Sequence, residues 1–384
     1  MKKKILILYA SYGSGHKAIA NYIQRYFENK DKELEIKSID LLNYSNSYRG
    51  KLGQKISENL MLHHPFIWNL LYKSADHKYT CVLSSNIIMK PFKNKQLEKE
   101  ISSFNPDMTI ATHFYGSAIV ADYNKKKIIN SKIISIITDY EAHELWLKDF
   151  KKQDYLIVPS RDVQKLLVKE GYNKHKIKPF GIPIFPKLNE LSDREDALKK
   201  LGLNPKLLTC VCFAGGGNGS TGTLPYVKAI LKNKKKINLI VISGKNQKVY
   251  DKVNNYVEKY KVKNILVYGY VNNVPELLEQ SDFVITKPGG AQTTECLYFR
   301  KPMLLIKSSG GQEDANVKYF TKKGYAKKFK SPRKLARYYK NIETDDKDLI
   351  KMKRNLSKTD SREAMKKIYE LTIKCIKEQW LFIY

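Results

Sequence analysis

The sequence predicts an α/β protein of two doubly wound domains. Three observations predict it. Short β-branched runs alternate with amphipathic helical stretches along most of the chain, as in a parallel sheet wrapped by helices. Glycine turns follow directly on several of those runs, at the strand ends where such sheets bind ligands. A Pro-bearing stretch after Ile184 divides the alternation into two Rossmann-like series. The expected domains are 1–184 and 185–360, followed by a C-terminal helix and tail over 361–384. A length of 384 residues is ample for two cores.

Composition narrows the partners. The chain is 42% hydrophobic and 28% charged, as in a globular protein, but 70 Lys and Arg face 38 Asp and Glu, leaving +32. Such an excess points to an anionic partner: nucleic acid, an acidic membrane surface or a phosphorylated substrate. A lysine-rich background explains the bases but not the shortage of acids. No helix-turn-helix, RNP or zinc pattern is present, so nucleic acid is not the expected partner. Cys81, Cys210, Cys212, Cys296 and Cys375 are scattered and odd in number, which suits reduced, buried thiols. The lysines at 2–4 precede an apolar run too short for a signal peptide, and no run approaches the ~18 residues of a membrane span. The expected location is cytoplasmic, peripheral on the inner face of the cell membrane.

Taken in order, Ile5–Ala10 is a first strand. Gly13, Ser14, Gly15 and His16 form a glycine turn before a helix over 17–29. The turn has phosphate-loop character but lacks the third glycine of a dinucleotide fingerprint. Leu34–Ile39 is a strand ending at Asp40, an acid that suits a ribose or a turn cap. Residues 44–99 interleave Phe66, Trp68 and other large apolar residues with lysines. This fits a patch on anionic lipid, or a core with solvated lysines. Met108–Thr112 is a strand, with Phe114, Tyr115 and Gly116 read as the turn after it. Lys132–Thr138 is another, ending at Asp139, with His143 and Trp146 beyond it. Tyr155–Pro159 and Ile177–Phe180 complete the first series.

The second series opens with a helix over 193–201 and a strand over 207–213. Gly215, Gly216, Gly217 and Gly219 follow, letting backbone approach a ligand closely. Strands are predicted over 237–243 and 265–268, with Tyr270 just after the second. The most informative stretch runs from Phe283 to Asn316. An apolar strand ends at Lys287; Pro288, Gly289 and Gly290 make a turn; a helix follows; Met303–Ile306 is the next strand. A helix N-terminus after a glycine turn is an anion site. Thr293 and Thr294 offer hydroxyl donors there, and Glu295 a carboxylate for ribose hydroxyls. The polar loop Gly310–Glu313 brings Gln312 and Glu313, suited to sugar hydroxyls. Beyond Asn316 the chain reads as helical and basic.

Thr286, Lys287, Pro288, Gly289, Gly290, Glu295, Pro302, Gly311, Gln312, Glu313 and Asn316 together resemble the nucleotide-sugar site of GT-B glycosyltransferases. The similarity is to the family of monogalactosyldiacylglycerol synthases and processive diacylglycerol glucosyltransferases. The opening glycine turn with His16, and the run Thr138, Asp139, His143, Trp146, resemble the same family.

The resemblance implies an interdomain cleft, with a lipid acceptor on the first domain and a UDP-sugar on the second. It implies an inverting, single-displacement transfer of a hexose, glucose before galactose, to diacylglycerol or a glycosyldiacylglycerol. His16 is the expected base and Asp139 its runner-up, with His143 binding the acceptor or orienting the base. Gly215–Gly217, Gly219, Tyr270, Lys287, Gly289, Gly290, Thr293, Glu295, Gln312, Glu313 and Asn316 face the donor. Gly13, Gly15, Phe66, Trp68 and Trp146 face the acceptor or membrane. No cofactor and no metal are expected, since no D-x-D pair is placed to hold one. Three other readings compete: transfer of N-acetylglucosamine to a lipid-linked peptidoglycan precursor, a UDP-sugar epimerase, and a basic nucleic-acid-binding protein without activity.

Overall fold

A computed structural model describes residues 2–11, 14–44, 59–60, 64–76, 94–185, 193–214, 221–232, 237–343 and 346–381. The chain divides into two compact units. One comprises Met1–Pro186, Ser309–Ala315 and Ser361–Tyr384; the other comprises Lys187–Ser308 and Asn316–Asp360.

In the first unit the order is β1 (Lys3–Tyr9), α1 (Gly15–Lys30), β2 (Leu34–Asp40), α2 (Pro65–Ala75), α3 (Lys95–Phe104), β3 (Met108–Ala111), α4 (Phe114–Lys125), β4 (Lys132–Ile136), α5 (Glu144–Leu147), β5 (Tyr155–Ile157), α6 (Arg161–Lys169) and β6 (Ile177–Lys178). Among the described residues, six parallel strands pair in the order β2-β1-β3-β4-β5-β6. Strands buried on both faces need continuous apolar runs, and Ile5, Leu6, Ile7 and Leu8 have no exposed surface.

The expected turn at Phe114–Gly116 is instead the first turn of α4, because His113 caps it: the Tyr115 N–H donates to His113 Nδ1 at 3.3 Å. Gly116 lets this helix lie close on the sheet. A β-carbon there would stand 2.7 Å from Leu8 Cβ.

The second unit runs α7 (Arg194–Lys200), β7 (Thr209–Phe213), α8 (Leu224–Leu231), β8 (Asn238–Ile242), α9 (Gln247–Tyr260), β9 (Ile265–Tyr268), α10 (Val274–Gln280), β10 (Phe283–Thr286), α11 (Gly290–Tyr298) and β11 (Met303–Ile306). Then come α12 (Gln312–Lys322), β12 (Ala326–Phe329), α13 (Pro332–Asn341) and α14 (Lys347–Ser357). Its described strands are parallel in the order β12-β11-β10-β7-β8-β9.

Two elements differ from expectation. β12 interrupts the stretch read as helical; only its end residues Ala326 and Phe329 are buried, and Lys327 and Lys328 suit an edge strand. The predicted loop at Gln312–Glu313 is the first turn of α12. Gly310 and Gly311 reverse the chain at φ 81° and 56°, and Glu313 and Asp314 favour a helix start.

The last helix, α15 (Ala364–Leu381), groups with the first unit. Its Tyr369 ring lies 5.1 Å from that of Phe27 in α1, and the Cys375 carbonyl accepts from Lys132 Nζ at 3.0 Å.

Candidate active site

Each sheet reverses its winding once. In the first unit the chain leaves β1 for β2 and returns to β3 on the other side of β1. The crevice between the C-terminal ends of β1 and β3 is therefore its topological switch point, the usual ligand position in open α/β sheets. The corresponding point in the second unit lies between β7 and β10.

At the first switch point, β1 delivers His16 and β3 delivers Thr112 and His113. His16 Nδ1 lies 2.6 Å from the Thr112 carbonyl and 3.1 Å from Thr138 Oγ1. A carbonyl only accepts, so Nδ1 carries the proton and Nε2 keeps its lone pair. The Thr112 hydroxyl in turn donates to the His16 carbonyl at 3.0 Å. The His113 ring meets that of His16 edge-on, with centroids 4.7 Å apart. Burial lowers the His16 pKa to about 4, against a smaller opposing effect of the Thr112 hydrogen bond. Burial also holds His113 well below its usual value, and His16 beside it adds to this. The pair is therefore neutral at physiological pH, with His16 able to take a proton at Nε2. Asp40 serves as a cap: it accepts from the Ser11 N–H at 3.2 Å, from the Ser11 hydroxyl and from the Leu42 N–H at 3.1 Å.

His143 has a different setting. It is buried, and Nδ1 accepts from the Leu145 N–H at 3.2 Å, capping α5. Nε2–H donates to the Tyr72 carbonyl at 3.1 Å, joining α2 to α5. With both nitrogens engaged, His143 positions these helices. Asp139 is half-buried; with Glu141 and Asp76 it helps hold the Tyr72 phenol well above its ordinary pKa, behind the larger effect of burial. Trp146, expected to face the acceptor or membrane, is buried among Phe150, Leu147 and Phe114, which removes it from a membrane surface. Gly15 is half-buried at the start of α1; Gly13 lies outside the described residues.

Phe66, expected to face the acceptor or membrane, stands out at the surface. It is 80% exposed on α2, and Ile67, Leu70 and Leu71 lie exposed beside it at helical spacing. Trp68 is on the same helix. Much of the remainder of 44–99 lies outside the described residues.

At the second switch point β10 ends in the Pro288–Gly289 turn, and α11 starts without a side-chain cap. Space above Gly289 is open: nothing stands within 4 Å of where its β-carbon would be. The N–H groups of the first turn are thus available to an anion. Asn316, fully buried, donates from Nδ2 to the Pro288 carbonyl at 2.9 Å and fixes the turn. Thr293 departs from its expected role. Its hydroxyl, and that of Thr294, donates back to the Gly289 and Gly290 carbonyls at 2.7–2.8 Å, so these threonines hold the turn. Glu295 and Lys287 are half-buried on the same unit.

Tyr270 is 64% exposed with Lys245 Nζ 5.7 Å from its ring centroid. Gly215, Gly216, Gly217 and Gly219 lie outside the described residues; the Thr223 hydroxyl donates to the Ala214 carbonyl.

On the Ser309–Ala315 segment, Glu313 accepts from the Ser309 N–H at 2.6 Å, and the Gly311 N–H donates to Asn69 Oδ1 at 3.2 Å. Among the described residues, Gln312 Oε1 is buried without a hydrogen-bond partner. Such an acceptor costs stability unless a ligand satisfies it. His113 and Lys307 are absent from the residues expected from sequence. His113 stands two residues beyond β3 and Lys307 directly after β11.

Two parallel six-stranded sheets with this winding, each with a crevice at its strand ends, give the GT-B architecture. Residues 16–184 match the model of the monogalactosyldiacylglycerol synthase family, and residues 210–368 match that of the glycosyltransferase family 28 C-terminal domain. The chain thus carries both of these domains, and along nearly its whole length it is similar to processive diacylglycerol glucosyltransferases. It is 28% identical to a processive diacylglycerol beta-glucosyltransferase of Bacillus pumilus over 96% of this chain and 94% of that one. It is 26% identical to the Bacillus cereus protein of the same name over 95% and 90%. Among solved structures, the S. aureus MnaA–UDP co-structure superposes with a TM-score of 0.58 at 16% identity, covering 95% of each chain; this likeness concerns the fold.

Proposed function

We propose that this enzyme transfers glucose from UDP-glucose to diacylglycerol or a glycosyldiacylglycerol, with inversion, at an anionic membrane surface. The observation that carries the mechanism is His16, a neutral imidazole whose tautomer leaves Nε2 as the base. The relatives' names specify a beta-glucosyl product. Donor glucose in UDP-glucose is α-linked, so a β product calls for one displacement and a base for the acceptor hydroxyl.

In that step His16 Nε2 takes the hydroxyl proton and the acceptor oxygen bonds to the anomeric carbon. The bond from that carbon to the β-phosphate oxygen breaks, its electron pair leaving with UDP. The uncapped start of α11 stabilises the diphosphate. Glu295 binds ribose, Tyr270 the base, and Gln312 the sugar hydroxyls, giving its orphan oxygen a donor. His143 and Asn316 position their surroundings. Phe66, Ile67, Leu70 and Leu71 enter the lipid interface, and the +32 charge holds the protein to anionic headgroups.

The test supplies diacylglycerol in anionic vesicles with UDP-glucose, UDP-galactose or UDP-N-acetylglucosamine and weighs the extracted lipid. A mass gain of one or more hexoses with UDP-glucose is expected. A gain with UDP-galactose alone or UDP-N-acetylglucosamine alone, or no gain with any of the three donors, contradicts the proposal.

A further inference from the structure

One cation beside the second switch point has no role so far. Lys307 comes directly after β11, with a left-handed backbone at φ 28° that a side-chain-bearing residue keeps only where its surroundings hold it. The Tyr226 hydroxyl on α8 is hydrogen-bonded to its backbone. The sheet order is β11-β10-β7, so the side chain crosses the end of β10 to reach the segment after β7. There it lies on Gly222: a β-carbon at that position would stand 2.3 Å from Lys307 Nζ, 2.6 Å from Cδ and 2.8 Å from Cε. Gly222 is thus the seat of the lysine. Lys307 is half-buried, and among the described residues no carboxylate pairs with it. A partly desolvated ammonium without a counter-ion favours an anion from outside the chain.

We propose that Lys307 binds the diphosphate of the nucleotide-sugar and meets the charge that grows on the β-phosphate oxygen as the glycosidic bond breaks. This rests on the UDP-sugar reading of the second switch point. It assigns Gly222 a function too, since its missing side chain leaves room for the lysine.

Calorimetry with UDP and UMP on wild type, Lys307→Gln and Gly222→Ala tests it. Wild type is expected to prefer UDP to UMP, and Lys307→Gln to narrow that preference roughly tenfold or more, as removal of a charge-assisted contact does. Gly222→Ala displaces the ammonium but keeps the charge, and is expected to narrow the same ratio. If Lys307→Gln melts far below wild type, Gly222→Ala carries the test alone. A preference for UDP that survives in the folded variants overturns the lysine's role and leaves the donor site standing. Failure of wild type to bind UDP overturns the donor site and the proposal together.

Discussion

The histidines show how position sets chemistry. His16, His113 and His143 are all held below the ordinary imidazole pKa, chiefly by burial, yet only His16 combines a half-buried ring with an oriented Nδ1–H. His113 and His143 spend Nδ1 on caps. A pH prediction follows for His16. Because its folded pKa is about 4, the base form persists well below pH 6.5, and the acidic limb of kcat is expected nearer 4–5 than 6.5. Stability moves with the same sign. Between about 6.5 and 4 the unfolded chain takes up a proton that the folded His16 refuses, so stability is full above 6.5 and declines across that window as pH falls. An acidic limb at 6.5 that disappears in a His16 variant would contradict this. His16 could be singled out in the sequence because it stands in a glycine turn. His113 and Lys307 could not, since a lone residue at a strand end gains meaning only once strand order brings that end to a switch point.

At the scale of elements, α2 matters most. Its exposed residues 66, 67, 70 and 71 make one apolar stripe, while Tyr72 on the same helix receives His143. Phe66→Ser with Leu70→Ser removes two large apolar contacts, each worth ~1.5–3 kcal/mol when fully buried. Binding to anionic vesicles is expected to weaken by tenfold or more, with UDP affinity and thermal melting unchanged. Equal vesicle binding would remove α2 from the membrane face. Most strands were legible because doubly buried strands demand uninterrupted apolar runs. β12 was not, since an edge strand tolerates Lys327 and Lys328 in its middle and loses its pattern. The starts of α4 and α12 were hidden by glycines, which usually mark turns. In α4 the glycine serves helix–sheet contact, and in α12 the helix begins directly after the pair.

For the whole molecule, the sequence carried the two-domain α/β class, since two runs of alternating elements admit little else. The charge excess pointed to an anionic partner without choosing between lipid and nucleotide, and the proposed function uses both. Strand order was not readable, although it explains why residues as far apart as His16 and Thr112, or Gly222 and Lys307, share a site. Among the described residues no helix is long and apolar enough to cross a membrane, so the account relies on α2 and surface charge for lipid contact.

The most direct measurement is diacylglycerol-dependent UDP release from UDP-glucose on anionic vesicles, comparing wild type with His16→Ala. The account predicts release that requires the lipid, a fall in turnover of roughly two orders of magnitude or more in the variant, and UDP affinity little changed. Wild-type turnover by His16→Ala, or release equally fast without the lipid, would contradict it.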